Sequence, residues 1–181
     1  STSFSSAHVI TREVTSPEEA TMAGDIKGES STQSASIEEY TLPYPGILSD
    51  NPLYFIKALR DRFVEFLMAD PVKKAEYYLL TADKRLNEGV MLFDKGSSKY
   101  KLAVSTISKG ENYFEKGLSQ IQNAKSKHLP VDSLIQKYHL STHKHQETIG
   151  DLIKRSSGGI KDGFIHSQKR TQQFGLMLEE F

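Results

Sequence analysis

The sequence predicts an all-α fold, an antiparallel helical bundle of four to five helices that follows an extended N-terminal arm. Three observations predict it. Apolar residues recur at helical spacing beyond residue 50, prolines stand directly after residues that cap helices, and tryptophan is absent while Ala, Leu, Lys, Glu and Ile recur. The 181 residues divide into an arm with a Pro-rich strap, residues 1–50, and a helical bundle domain, residues 51–181. A body of this length is expected to form one core.

The arm contains two segments that favour local structure. Residues 7–14 are rich in β-branched side chains and predict one strand, which forms only with a partner strand. Residues 16–24, SPEEATMAG, predict one short helix because Ser16 caps it and Pro17 occupies its first position. Residues 25–36 are small and polar, which is typical of a flexible linker.

The segment LPYPGIL, residues 42–48, predicts an extended strap that lies across helices. Pro43 and Pro45 disfavour α geometry in the residue that precedes each of them. The strap therefore offers its apolar side chains to neighbouring helices, namely Leu42, Tyr44, Ile47 and Leu48.

Five helices follow the strap, at about 51–67, 70–93, 98–124, 131–156 and 160–180. Asn51 is expected to cap the first helix and Asp70 the second, each with a proline in the next position. The first helix carries an apolar stripe that we expect to pack in the bundle, made of Leu53, Ile56, Leu59, Phe63 and Leu67 with Phe55 and Phe66 at its margins. In the third helix, Glu111 is the single carboxylate in an otherwise apolar stripe.

Opposite net charges distinguish the arm from the body. Residues 1–50 contain eight acidic residues (Asp and Glu) and two basic residues (Lys and Arg), so the net charge of the arm is −6. Residues 51–181 contain fifteen acidic and twenty-one basic residues, so the net charge of the body is +6. Such fields favour contact between arm and body, within one molecule or between neighbours, and salt screens the attraction. A solvated acidic tail explains the same composition.

We expect the arm of one subunit to dock on the basic body of a neighbour, a heterologous contact that gives a ring or an open filament. The leading hypothesis is a non-catalytic secreted structural subunit that self-assembles into an extracellular filament or surface polymer, with copies of itself as partners. The side chains expected to make intermolecular contacts lie in the arm, the strap and the C-terminal end: Phe4, Val9, Ile10, Val14, Leu42, Tyr44, Ile47, Leu48, Phe174, Leu178 and Phe181.

Residues 40–121 carry a more specific pattern. The strings LPYPGILSDNPLYFIKALRDRF and DPVKKAEYYLLTADKRL, followed by STISKGENYFEKGL, resemble an uncharacterised family, a domain of unknown function from secreted and cell-envelope proteins of candidate-phylum bacteria, with distant relatives beside actinobacterial anti-sigma factors. Relatives favour proline where this chain has Ser49. The resemblance implies an all-α domain that is exported by a signal peptide, and it implies no reaction.

The first residue is consistent with export. The chain begins with Ser1 and not with Met, as a mature secreted chain does after its signal peptide is removed, although trimming of a longer chain explains the same start. We therefore expect an extracytoplasmic location, secreted or at the cell surface.

Two histidines give the sharpest candidate site. His139 and His143 are four residues apart in the fourth helix, and such a pair can bind one metal ion, with zinc or nickel favoured over calcium. Glu147 and Asp151 continue the series, but a solvated polar face explains the same residues. The alternative function is a cell-envelope metal- or ligand-binding, or stress-sensing, helical module that uses this face. His145 is expected to pack at a margin of the bundle.

Other functions lack their sequence signatures. The chain has no cysteine, no Gly-x-Ser-x-Gly elbow, no phosphate-binding loop and no His-Glu-x-x-His motif, so we predict no enzyme and no cofactor. Lysines alternate with acids and no aromatic-interleaved basic cluster occurs, which argues against nucleic acid. No apolar run reaches about 18–20 residues, and the mixed charges of the polar faces favour helix packing, so no stable membrane insertion is expected.

Deletion of residues 1–36 tests the role of the arm. The shortened chain is expected to remain a folded helical monomer and to lose the ability to assemble, which mass photometry and electron microscopy measure. Assemblies that persist after the deletion would contradict the arm's role.

Overall fold

The computed structural model describes residues 39–181, which form five α-helices and one short 3-10 turn. The helices are α1 (Tyr54–Leu67), α2 (Pro71–Asp94), α3 (Tyr100–Ser126), α4 (Asp132–Lys154) and α5 (Gly158–Glu179). Since residues 39–181 contain no strand, the all-α prediction is confirmed there. The strand and the short helix predicted for the arm lie outside the described residues. Within the same range no helix is both long and apolar enough to span a bilayer.

Capping residues set the beginning of α2 but not the beginning of α1. The Asp70 carboxylate accepts a hydrogen bond from the backbone N–H of Val72 at 2.9 Å, and Pro71 occupies the first helical position as predicted. The side chain of Asn51 instead closes a turn by accepting from the Leu53 N–H at 2.9 Å, so α1 begins at Tyr54, later than predicted.

Helices α2 to α5 form two antiparallel hairpins that pack side by side. Helix α2 packs along α3 and α4 along α5, while α3 meets α5 and α2 meets α4. The backbone of Gly89 lies beside Ala103 and that of Gly110 beside Ala82, so α2 and α3 run in opposite directions. Gly96 allows the reversal between them because its φ of 107° is accessible to glycine.

Two apolar clusters form the core. The first contains Ala75, Leu79, Ala82, Phe114, Leu118, Ile121, Ala124, Val131, Leu134, Tyr138, Phe174 and Leu178. The second contains Leu86, Leu92, Phe93, Ala103, Ile107, Ile149, Leu152 and Phe164. Each of the four helices passes from one cluster to the other through buried polar residues, among them Asp83, Glu111, Ser141, His145, Ser167 and Thr171. A polar layer therefore divides the core.

Asp83 is the centre of this polar layer. Its Oδ1 accepts from the Ser141 hydroxyl at 2.6 Å and lies 2.8 Å from His145 Nε2, and its Oδ2 accepts from the Tyr40 hydroxyl at 2.5 Å. Burial and the adjacent carboxylate raise the pKa of Tyr40 above its ordinary value, which keeps the hydroxyl a donor. His145, expected at a bundle margin, is instead buried, with its ring 5.7 Å from that of Phe114.

The carboxylate that interrupts the apolar stripe of α3 also has a partner. Glu111 accepts from Arg170 of α5 at 3.3 Å, and the same guanidinium donates to Glu115 at 2.7 Å. The polar middle of α5 enters the core through Ser167 and Thr171, and the Thr171 hydroxyl donates to the Ser167 carbonyl at 2.9 Å. Thr171 is therefore buried with its hydroxyl satisfied inside its own helix.

The strap lies on α2, but of the four apolar side chains predicted to lie across helices only Leu42 and Leu48 are partly buried, whereas Tyr44 and Ile47 are exposed. Asn87 donates to the carbonyl of Pro43 at 3.0 Å, and Leu42 packs on the second apolar cluster. Immediately after the strap, the Ser49 N–H donates to the buried carboxylate of Glu88, and Lys95 donates to Asp50 at 2.8 Å. Polar contacts at both ends therefore hold the strap against the bundle.

Glycine-to-alanine substitutions test the close packing. At Gly117 an added Cβ would lie 1.8 Å from the Tyr138 hydroxyl, which donates to the Ala75 carbonyl, whereas at Gly150 it meets open space. Gly117→Ala is expected to lower the free energy of unfolding by about 1–3 kcal/mol. Gly150→Ala is the control and is expected to raise it by up to about 1 kcal/mol through helix propensity. Urea unfolding measures both, and equal effects would contradict this packing.

Candidate docking site on helix α1

Helix α1 faces the bundle with its polar side. The Tyr77 hydroxyl of α2 donates to the carbonyl of Asp61 at 3.0 Å, and burial raises the pKa of Tyr77 to about 12. The Tyr78 hydroxyl donates to Glu65 Oε1 at 2.7 Å, and Lys116 donates to the same oxygen at 3.1 Å. The Glu65 carboxylate is therefore used against the bundle, whereas Asp61 contributes its backbone carbonyl there and its carboxylate accepts from Arg60.

The apolar side of α1 is exposed, which corrects the prediction that it packs in the bundle. Leu59 is 70% exposed, Phe63 63% and Phe66 83%. The side chains that share this surface, called the docking face below, are Leu53, Phe55, Ile56, Leu59, Phe63, Phe66 and Leu67. The reason is that α2 to α5 close the core without α1. An amphipathic pattern shows which residues share a face but not which face points inward.

Arginines border the docking face on both sides. At about 100° per residue, Arg62 falls next to Phe66 on one edge and Arg60 falls next to Leu67 on the other. Arg60 also donates to the neighbouring Asp61 at 2.7 Å and remains mostly exposed. The outward surface of α1 is thus apolar and aromatic with cationic edges.

A cavity of about 510 Å³ lies where the strap, α1 and α2 meet. Tyr44, Ile47 and Leu80 supply apolar walls. Lys57 also lines the cavity, and its ammonium group donates to the carbonyls of Pro45 at 2.7 Å and Ile47 at 3.0 Å. Burial lowers the pKa of Lys57 below its ordinary value.

The predicted metal pair occupies a different surface. His139 and His143 line a groove between α4 and α5 together with Glu179, whose Oε1 lies 3.9 Å from His139 Nδ1. Residues 39–181 contain no group of three or more His, Asp or Glu side chains placed to hold a metal ion. The metal hypothesis stays a prediction, and no described contact adds to it.

The other predicted interaction residues divide into three groups. Phe4, Val9, Ile10 and Val14 lie outside the described residues. In the strap, Tyr44 and Ile47 are exposed, while Leu42 and Leu48 are partly buried. Phe174 and Leu178 are buried in the first apolar cluster and Phe181 packs against it, because α5 completes the core at that end. Phe174 and Leu178 therefore stabilise their own chain, which corrects the expectation that they bind a partner, while the role of the partly buried Phe181 stays a prediction.

Comparison with known proteins found one family. The family model described as Domain of unknown function (DUF5667) matches residues 46–158, which include the turn after the strap, all of α1 to α4 and the docking face. No curated protein and no solved structure matches the chain. The match therefore supplies a family and no activity.

Matched double substitutions test the orientation of α1. Leu59→Ser with Phe63→Ser replaces exposed side chains and is expected to change the free energy of unfolding by less than about 1 kcal/mol. Phe114→Ser with Leu118→Ser replaces the same two residue types, also four positions apart, but in the core. We expect this control to cost at least about 5 kcal/mol or to prevent folding. Urea unfolding measures both, and a similar loss in the two variants would place the α1 stripe in the core.

Proposed function

We propose that this chain, which belongs to the DUF5667 family, is a non-catalytic module outside the cytoplasm that docks reversibly on a membrane surface through the docking face of α1. The observation that carries the proposal is the orientation of α1. The Glu65 carboxylate and the Asp61 backbone carbonyl are used against the bundle, and the large apolar residues of α1 are left on the surface. A contiguous exposed apolar face rimmed by polar residues is typical of an interaction site.

The chemistry of the docking face favours a lipid surface. Phe55, Phe63 and Phe66 supply aromatic rings, and Arg60 and Arg62 can extend from the edges toward headgroups while the apolar residues enter the acyl region. Each cation near an anionic surface contributes about 1 kcal/mol. In the sequence, the mixed charges on the polar faces of the helices favoured packing on other helices and argued against contact with a membrane. The side chains of Asp61 and Glu65, the two carboxylates of α1, are each only 21% exposed, so neither lies on the docking face and that objection is weakened.

The same edges disfavour pairing of α1 with α1 of a second copy. In a two-fold symmetric pair, an edge bearing Arg60 or Arg62 always faces another arginine edge, whether the helices run parallel or antiparallel. Like charges at the rim of an apolar contact oppose association. Self-assembly through the acidic arm uses residues outside the described part of the chain, so it is a separate proposal that the α1 surface neither requires nor opposes.

Vesicle co-sedimentation tests membrane docking. The whole chain is expected to bind vesicles of phosphatidylcholine with phosphatidylglycerol better than vesicles of phosphatidylcholine alone. Leu59→Ser with Phe63→Ser should weaken binding at least about tenfold, because burial of each such side chain contributes about 1.5–3 kcal/mol. Leu176→Ser is the matched control, since Leu176 is equally exposed on α5, and it should bind as the unaltered chain does.

Three other results would contradict membrane docking or assign the docking face to a different partner. Equal vesicle binding by the unaltered chain and the α1 variant would overturn the proposal. The unaltered chain could instead fail to bind vesicles and form a dimer that the α1 substitutions convert to a monomer, as measured by sedimentation equilibrium. That result would assign the docking face to contact with a second copy. Binding that appears only after deletion of residues 1–36 would show that the arm covers the face in the intact chain.

A further inference from the structure

The cavity beside α1 opens on the same surface as the docking face. Leu53 and Ile56 belong both to the docking face and to the cavity lining, so a molecule held by the docking face lies next to the mouth of the cavity. Tyr44 and Ile47 of the strap and Leu80 of α2 continue the apolar wall inward. The volume of about 510 Å³ lies within the range of about 300–1,000 Å³ typical of small-molecule sites.

The charges of the lining favour an anion. Four cationic side chains and two carboxylates line the cavity, which gives a net charge of +2: Lys57, Arg60, Lys84 and Arg85 against Asp61 and Glu88. Each carboxylate already has an arginine, since Arg60 lies 2.7 Å from Asp61 and Arg85 lies 2.9 Å from Glu88. The surplus positive charge therefore belongs to the two lysines.

Both lysines line the cavity. Burial is the main cause that lowers the pKa of Lys57 below its ordinary value. Neither lysine has a carboxylate within ion-pair distance among residues 39–181. An anionic group in the cavity would supply the missing counter-charge, and lysine is a common ligand of phosphate.

We propose that this cavity binds one anionic amphiphile, a molecule with a phosphate headgroup that contacts Lys57 and Lys84 and an alkyl chain that packs on Ile47, Ile56 and Leu80. The inference rests on the proposed function, because a phospholipid of the bound membrane is the nearest source of such a molecule. It goes further because the chain would bind one lipid molecule in the cavity, in addition to the non-specific contact of the docking face with the membrane surface.

Calorimetric titration with soluble probes tests the site in the whole chain. Monomeric dihexanoyl-phosphatidylglycerol is expected to bind with a stoichiometry of one. Dihexanoyl-phosphatidylcholine, which has the same chains without net charge, should bind at least about tenfold more weakly. Inorganic phosphate should give no saturable binding, which separates an amphiphile site from a free phosphate site.

Matched lysine variants locate the binding. Lys57→Gln with Lys84→Gln should weaken dihexanoyl-phosphatidylglycerol at least about tenfold, while Lys101→Gln with Lys161→Gln, two exposed lysines on other helices, should leave the affinity unchanged. If loss of the Lys57 hydrogen bonds disturbs the strap, Lys84→Glu alone should give the same loss with the same melting temperature as the unaltered chain. Unchanged affinity in both cavity variants, or equal binding of inorganic phosphate, would overturn the inference.

The two proposals fail in different ways. The Lys57→Gln and Lys84→Gln variant keeps Leu59 and Phe63, so it should still sediment with anionic vesicles. Vesicle binding by the unaltered chain without any soluble-lipid binding would overturn the cavity ligand and leave membrane docking intact. Soluble-lipid binding without vesicle binding would overturn membrane docking and leave a soluble amphiphile carrier.

Discussion

The buried carboxylate of Asp83 is the constraint on which the arrangement of the chain depends. It is 2% exposed, and a carboxylate at such depth without hydrogen-bond partners costs several kcal/mol. Its partners are Ser141 and His145 of α4 and Tyr40 just before the strap. Only one register of the two hairpins, and one position of the chain entering the strap, satisfies all of them. The apolar clusters on either side supply most of the driving force for folding, and this residue selects the alignment.

The position of α1 follows from this alignment. The strap is held at Tyr40, at the Pro43 carbonyl and at Asp50, so the chain enters α1 beside α2. Three residues, 68–70, then join α1 to α2. With the core already closed by the other four helices, α1 contacts the bundle through polar partners such as Tyr77 and Tyr78, and the core has no place for its apolar side. Its aromatic side is exposed because of connectivity and not because the helix lacks amphipathicity.

Local signals in the sequence predicted the five helices but neither the start of α1 nor the side that it turns toward the bundle. Asp70 and Pro71 are adjacent residues that decide the start of α2, so the sequence predicts it. The partnership of Asp83 with His145 joins residues 62 positions apart, and nothing in either neighbourhood indicates the other. The pair Asp61 and Glu65 did carry a signal for the docking site. Two acids four residues apart lie opposite an apolar stripe edged by arginines, so the acids are expected on the side of the helix that the stripe does not occupy.

The contacts that hold α1 are sensitive to the surrounding medium. They consist of tyrosine hydroxyls, the Lys116–Glu65 ion pair and the Arg85 guanidinium, which lies 5.0 Å from the centre of the Tyr54 ring. Electrostatic contacts of this kind strengthen as the local dielectric constant falls. In the proposed docked state, a membrane over the aromatic side of α1 would exclude water from the edges of these contacts, so α1 would be held more firmly to the bundle. Attachment would then increase the rigidity of α1 without any rearrangement of the core.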